Sequence, residues 1–592
     1  MKRKIFSALT AFAVCLTTAF GFVACGEDQS ESSVGDVQPL TLEQLGEGFN
    51  EKYLPDMDAI SSRQLSGKVD VCLDFEGTQS GWQALAREYE RLHGGSVIVS
   101  VNTTYAGSTY SDKLNSELTN QKTEWDIVEG NLGYSNTTER CIDMYPTISS
   151  VNPYCGENVM WSEVLKPEAY RTKEADSSGV SQIMNTEIMQ TCWFVNDVAF
   201  NAAVAKGYVN ADGDEAYPIT WDDLINLCVK MEEAGYTNPL GITLCNASIE
   251  SLQFTWLLRV YGDYYYRQFY KYLMDEKEWA GYKPTDNVPE NKGGFKTSYA
   301  KVLNLLFSGL TLSDGTAVAD SIIGMNVGFT SEVYMDFVTQ ISKMKGHLIK
   351  DVDKTEFGDL RDKFETQSQG MAAPQILLDY QGFGINYERA EKEGFKVGYF
   401  DYPTMESGTY TKGPNKGKKI VSSDTITRDI GGNGGFLSVI NHVGDTAQNE
   451  LNKDFVKFVL SPYGQTVYYK GLADANKVPK GLSTVKNELV VIPEAWKAFF
   501  NKSNETITFS GDVDANIFLS WGVRYTCGET QVQKIICDNW RGLLMTGLGE
   551  GQTLNVNKFA QDWRDAVFAD AQSMVSKNGW NSEVWTNPNY NL

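Results

Sequence analysis

Between Val69 and Val128 the apolar residues switch repeatedly between two periods, and this switching constrains the fold more than any other feature of the chain. Val69, Val71, Leu73 and Phe75 alternate as residues on one face of a strand do. After the turn-forming run Glu76-Gly77-Thr78-Gln79-Ser80-Gly81, the apolar positions Trp82, Leu85, Ala86, Tyr89 and Leu92 recur at helical spacing and stop at Gly94-Gly95. Val97 to Val101 reads as a second strand, a helical stretch follows around Tyr110, Leu114 and Leu118, and Trp125-Asp126-Ile127-Val128 reads as a third strand. Strands joined by helical crossovers pair in parallel, so this order predicts the start of a doubly wound α/β sheet. Upstream, Thr41 with Gln44 has the form of a capping box, and Leu42, Leu45, Phe49 and Tyr53 predict a short leader helix docked on that sheet's domain.

The N-terminus constrains where such a chain works. Lys2, Arg3 and Lys4 precede an apolar run from Ile5 to Ala24, which is the layout of an export signal. Cys25 and Gly26 follow at once, then an acidic, serine-bearing stretch with Glu27, Asp28, Glu31 and Asp36. Phe22-Val23-Ala24-Cys25 resembles the bacterial lipobox, with Phe22 where leucine is usual, and that resemblance implies diacylation of Cys25 and a flexible tether behind it. The mature chain is then expected on the outer face of a bacterial cell membrane. The full sequence of 592 residues, 42% of them apolar, is enough for two sizeable cores. The formal charge of -24, more negative still without the signal's basic residues, repels phosphate backbones and excludes nucleic acid as a partner. The cysteines lack the paired short spacings of a zinc site; Cys72 and Cys228 sit in apolar patterns as buried thiols, while Cys141 with Cys155 and Cys527 with Cys537 are close enough in sequence to bridge or to stay reduced.

A second series of strand and helix signals runs from Thr191-Cys192-Trp193-Phe194-Val195 through a helix capped by Thr220, whose apolar face is Leu224, Leu227, Cys228 and Met231. Within it, Trp193-Phe194-Val195-Asn196-Asp197 and Pro218-Ile219-Thr220-Trp221-Asp222-Asp223-Leu224 resemble the "YNKDL…P-TWDEL" signature of the family 1 extracellular solute-binding proteins, which include the maltodextrin-binding type. Further segments resemble that family in the same order. They are Phe364 to Ala373, with Gln367 where glycine is common; Lys396 to Pro403, resembling the strand that leads back into the first lobe; Gly431 to Gly435, resembling a glycine-rich crossing; Asp454 to Gln465; and Val478-Pro479. The resemblance covers most of the chain from about Gly67 onward. It implies a two-lobe periplasmic-binding-protein fold of type II, α/β with doubly wound sheets, a hinge and an inter-lobe cleft that takes a carbohydrate and delivers it to the permease subunits of an ABC importer.

On that reading the chain divides into a signal peptide over 1–24, a tether and leader over 25–66, a first lobe over 67–190 plus 396–478, and a second over 191–395 plus 479–592. The excess over the family's common size falls in the leader and in insertions around Tyr264 to Asn304 and Asp351 to Leu360. Sugars offer apolar C–H faces to aromatic rings and hydroxyls to carboxylates and amides. Ligands of doubly wound sheets also lie beyond the carboxyl ends of strands. The candidate binding residues are therefore Glu76, Gln79, Glu129 and Asn131 at strand ends and the aromatics Trp256 and Trp521, to which the resemblance adds Trp193, where the family carries an aromatic near the cleft, and Asn433 in the crossing. The resemblance adds Tyr380, where the family often carries a stacking aromatic, with Asp379 beside it. Each has an ordinary structural alternative, as a solvated loop residue or a core ring. Trp125 and Trp221 are expected to be structural.

His93, His347 and His442 are far apart, and no G-x-S-x-G, H-E-x-x-H or P-loop motif is present, so no catalytic residue is assigned. Asp512, Asp514 and Asn516, like Asp351, Asp353 and Thr355, have the first spacing of a calcium loop without the glycine that should follow, so calcium stays a weak option, and no metal ligand and no cofactor is assigned. A binding protein, expected to be monomeric, is the leading reading. A surface carbohydrate-sensing or adhesion lipoprotein on the same fold stays open, as does a carbohydrate-active enzyme working with two carboxylates.

Overall fold

The computed structural model describes residues 37–73, 76–103, 123–129, 140–166, 184–244, 253–268, 331–380, 384–497, 506–508 and 539–565, apart from isolated positions, and part of 113–120. The strands are β1 (Gly67–Cys72), β2 (Val97–Asn102), β3 (Ile127–Glu129), β4 (Met184–Asn185), β5 (Glu187–Met189), β6 (Thr191–Asn196), β7 (Leu240–Gly241), β8 (Ile376–Tyr380), β9 (Val397–Phe400), β10 (Asp429–Asn433), β11 (Phe436–Val439), β12 (Leu482–Ser483) and β13 (Thr506–Thr508).

The three strands of the expected start and its first crossover helix are present, while the helical stretch expected around Tyr110, Leu114 and Leu118 lies largely outside the described residues. β1 pairs in parallel with β2 and β3, in a sheet of order β2-β1-β3-β11-β4. The crossover helix Gln79–Leu92 buries Trp82, Leu85, Ala86, Tyr89 and Leu92, the face its spacing predicts. It packs on the helix Pro462–Asp474 at a distance that glycine allows: a Cβ at Gly471 would lie 2.4 Å from the Cβ of Ala84, and one at Gly81 would meet the Tyr468 ring at 2.5 Å. Around this sheet lies one hydrophobic core, formed by Leu45 to Met184 together with Leu437 to Trp496. The leader belongs to it. Thr41 and Gln44 form the capping box, Leu45 is buried, and the Leu40 N–H donates to Tyr463 Oη at 2.7 Å. A groove of about 390 Å³ between the leader and these two helices is lined by Leu40, Arg87, Arg91 and Lys470 among others, and none of the expected site residues lies on it.

A second core spans Cys192 to Val421 with Trp540 to Trp563. Its sheet has the order β7-β8-β6-β9, with β6 buried along its whole length and antiparallel to both β8 and β9. A third sheet, β12-β5-β10-β13, is built from strands at the passages between the cores. β5 carries the chain from the first core to the second, and β10 carries it back.

The lobe boundaries differ from those expected. Lys396 to Pro403 is no crossing: β9 is the edge strand of the second sheet, and the Lys396 N–H donates to Asp197 Oδ1 at 2.8 Å, at the end of β6 remote from the linking sheet. The chain stays with the second core through Val421, and the return is made by β10 and the glycine-rich run after it. Val478 is no crossing either, since Val485, Val490 and Trp496 beyond it still pack in the first core. The strand pattern of 396–400 was legible, but its sheet depends on pairing with β6, which no local pattern encodes. Cys72, Cys141, Cys155, Cys192 and Cys228 are buried and not in disulfides, so Cys141 and Cys155 are not bridged. Among the described residues no helix is long and apolar enough to cross a membrane, and no group of three or more His, Cys, Asp or Glu could hold a metal ion.

Candidate functional site

Strand direction determines which edge of each lobe faces the linking sheet. β4 ends two residues before β5 begins, and β11 starts just after β10 ends. Because β11 is antiparallel to β3, with Leu437 opposite Glu129, the carboxyl ends of β3 and of its parallel neighbours β1 and β2 lie at that same edge. In the second lobe β6 starts directly after β5, and Tyr380 at the carboxyl end of β8 is opposite Thr191. Carboxyl strand ends of both lobes therefore converge on the linking sheet, which is where a doubly wound sheet presents its ligands.

Tyr380 and Trp256 are brought together at this edge. Tyr380 is half-buried, with its ring edge-on to Trp256 at 6.4 Å between centroids and to Phe357 at 5.7 Å. Trp256, on the helix Gln253–Tyr266, is buried and carries the Arg259 guanidinium 5.2 Å from its ring. Arg361 lies over Phe357 in the same way, at 4.6 Å. Burial, and next the charge of Asp379, hold the Tyr380 hydroxyl well above its usual pKa. The phenol is thus a neutral hydrogen-bonding group on an aromatic platform.

Asp379 is buried at 1% exposure and engaged inward: Arg361 donates from Nε to Oδ2 at 2.7 Å and from Nη2 to Oδ1 at 2.8 Å, and the Tyr380 N–H donates to Oδ1 at 2.6 Å. It fixes the strand end and the guanidinium that packs on Phe357. Trp193 is fully buried in the second core, stacked on Phe400 with centroids 6.4 Å apart. Gln79 is the half-exposed first residue of its helix, beyond the end of β1 and so at the converging edge, and Glu76 opens the turn Glu76–Thr78 before it. Asn433 ends β10 opposite Ile188. Asn131, Trp521 and Cys25 lie outside the described residues, as do the export signal, Cys527, Cys537, Asp512, Asp514, Asn516 and most of the Tyr264 to Asn304 insertion.

Glu129 is part of a polar centre that sequence reasoning missed. Its Oε1 accepts from Lys480 Nζ at 2.5 Å, both side chains being buried. Glu187, in β5, is buried beside them. Burial pushes its carboxyl up to about 8, with Lys480 working against the shift and Glu129 adding to it. No local signal marks Glu187, because the run Met184-Asn185-Thr186-Glu187-Ile188-Met189 mixes polar and apolar residues. A second missed centre anchors the entry to β10: Arg428 donates from Nε and Nη2 to the two carboxylate oxygens of Asp263, each at 2.9 Å, with Asp263 fully buried and Arg267 2.8 Å from the same carboxylate.

No family model matches the chain, and no curated protein matches it. Among solved structures the alignments run over nearly the whole of the other chain. The chain is similar to a family 1 extracellular solute-binding protein. That protein, from Bifidobacterium longum subsp. infantis, shares 13% identity at a TM-score of 0.45, over 85% of this chain and 99% of the other. The apo form of RafE from Streptococcus pneumoniae gives 12% identity and a TM-score of 0.46, over 85% of this chain and 98% of that one. The cyclic α-maltosyl-1,6-maltose binding protein from Arthrobacter globiformis gives 14% and 0.47 over the same shares.

Proposed function

We propose that this protein is an extracytoplasmic solute-binding protein that holds a carbohydrate between its two lobes and delivers it to the permease of an ABC importer, tethered to the membrane by a lipid on Cys25. The observation that carries the reading is the convergence of carboxyl strand ends from both lobes on one linking sheet, with the Tyr380–Trp256–Phe357 platform at the second lobe's edge. A ring face takes up the C–H face of a pyranose, and the Tyr380 hydroxyl can donate to or accept from a sugar hydroxyl. A linking sheet of this kind allows the lobes to close over the ligand by hinge motion.

Binding is favoured over hydrolysis by the state of the carboxylates. Asp379 is held bidentately by Arg361 and Glu129 is bonded to Lys480, so neither is placed as a general acid or base on a glycosidic bond. The test is a thermal-shift panel of neutral mono- and oligosaccharides, since a ligand that binds the folded state raises the unfolding temperature by mass action. Hits are followed by calorimetric titration, X-ray scattering with and without the sugar, and a search for product. One sugar should bind, make the molecule more compact and be recovered intact. Turnover of that sugar would replace this reading with an enzymatic one, and identical scattering with a bound sugar would refute closure.

A further inference from the structure

Arg361 uses only part of its hydrogen-bonding capacity within the protein. It stands four residues after Phe357 on the helix Phe357–Thr366, so the two side chains share one helix face. A guanidinium carries five N–H donors in one plane. Asp379 accepts one from Nε at 2.7 Å and one from Nη2 at 2.8 Å, which are the donors along one edge of the group. The outer edge, with both donors of Nη1 and the second of Nη2, has no acceptor among the described residues. Glu365, the carboxylate one turn further along the helix, accepts instead from the Asn386 N–H at 2.8 Å and from Arg389 Nη1 at 3.5 Å.

The position of this edge gives the unused donors a role. Asp379 directly precedes Tyr380 at the carboxyl end of β8, the Arg361 guanidinium carbon lies 4.6 Å from the centre of the Phe357 ring, and that ring is 5.7 Å from the Tyr380 ring. Phe357, Tyr380 and Arg361 are half-buried, whereas Trp256 and Arg259 are buried. A Cβ at Gly384 would lie 2.9 Å from Asp379 Oδ1 and 2.3 Å from the Tyr380 carbonyl oxygen, so the chain closes over the carboxylate side of the pair and leaves the guanidinium side to solvent. Asp379 compensates the charge of Arg361, and the pair therefore presents directed donors with little net charge, which suits hydroxyl oxygens better than an anion. The outward N–H groups of Nη1 and Nη2 are parallel, and hydroxyls on adjacent carbons of a pyranose are spaced to meet them. We propose that Arg361 is a ligand-contacting, specificity-determining residue that donates from this outer edge to two neighbouring hydroxyls of a neutral sugar whose C–H face lies on Tyr380. The inference rests on the carbohydrate reading of the same site and names the part of the sugar that it recognises.

The test uses the mature full-length protein and neutral probes, namely maltotriose, raffinose, xylotriose and cellotriose, titrated calorimetrically against wild type, Arg361→Lys and the double variant Arg361→Gln/Asp379→Asn. The double variant replaces the ion pair by two amides and leaves no buried charge alone; far-UV circular dichroism and thermal unfolding show whether each variant is folded. The probe that wild type binds is then followed through its monodeoxy analogues. In wild type, loss of either of two neighbouring hydroxyls should weaken binding about tenfold or more. Both variants should bind the parent sugar about ten- to a hundredfold more weakly, and in the double variant the same two analogues should bind within about twofold of the parent. That lost coupling marks a contact, because a residue acting only through the fold would weaken every sugar and leave each deoxy penalty in place. A wild-type scan without two neighbouring sensitive positions overturns the proposal whether or not the variants fold, as do penalties that persist unchanged in the double variant. Binding by wild type with the same affinity in Arg361→Lys sinks the role of Arg361 alone, whereas no binding of any of these probes by wild type sinks the carbohydrate reading and this assignment with it.

Discussion

Replacing Glu187 by glutamine should make the protein more stable in alkali than wild type, whether or not the hinge moves. Burial raises the Glu187 carboxyl from 4.5 to about 8, so the native state holds its proton more tightly than the unfolded chain does. The stability linked to this group is complete below the unfolded value and is lost as pH rises through the folded one. At about 1.4 kcal/mol per pKa unit, the shift sets a ceiling of roughly 5 kcal/mol above pH 8, and relaxation around the ionised group reduces it to an expected loss on the order of 2 to 3 kcal/mol. Lys457 works in the opposite direction. Burial depresses its ammonium from 10.5 to about 8, so its contribution is regained as pH rises from about 8 towards 10.5. The wild-type profile thus mixes two opposing trends, and the informative quantity is the difference between variant and wild type. Urea unfolding at pH 5, 7 and 9 should show the gap between Glu187→Gln and wild type widening with pH. A constant gap would show that Glu187 is ionised in the native state and would refute the reasoning.

Three further outcomes are expected. Tyr380→Ala should weaken binding of the cognate sugar by on the order of 1 to 3 kcal/mol, about ten- to a hundredfold in Kd, by analogy with stacking on other aromatic platforms. It should also lower the melting temperature, because the ring packs against Trp256 and Phe357. Tyr380→Phe should keep most of both, and unchanged calorimetric affinity in Tyr380→Ala would remove the residue from the site. Asp263→Ala strands the buried Arg428 guanidinium and should cost about 3 to 5 kcal/mol in urea unfolding; a midpoint within error of wild type would count against that pair as the anchor of β10. Cys25→Ala should leave the fold intact and shift the protein from the membrane fraction to the soluble one, and a wild-type protein found without lipid by mass spectrometry would end the lipoprotein reading.

What could be read from the sequence divides by the range of the interactions involved. The helix Gln79–Leu92, the leader's capping box and the strands on either side were legible because each is specified within a few residues by period and cap. The sheet to which 396–400 belongs was not, since β9 is placed by its register on β6, some two hundred positions earlier in the chain. The same limit applies to the site. Tyr380 and Trp256 were each recognisable as aromatic candidates, but not their contact, and Trp193 looked equally suitable until its burial against Phe400 was seen. Arg361, Lys480 and Glu187 had no local pattern at all, because their roles come from partners on other elements.

Those distant partners also bear on what kind of ligand the edge can take. Among the described residues there, several charged groups are already engaged with one another: Asp379 with Arg361, Asp263 with Arg428 and Arg267, Glu129 with Lys480. An ionic ligand would have to break one of these pairs and leave a buried charge behind, at a cost of several kcal/mol. A neutral polyhydroxylated ligand avoids that cost and meets the groups that remain, namely the half-buried Tyr380 ring, its neutral hydroxyl and the amide of Gln79 at the opposite lobe's helix start. On this reasoning the protein should discriminate against uronic acids and amino sugars relative to their neutral counterparts by more than tenfold in Kd, the factor that corresponds to about 1.4 kcal/mol. Paired titrations of a neutral oligosaccharide and its carboxylated analogue provide the measurement, and equal affinities would show that the ion pairs yield to ligand and that the argument from their burial is wrong.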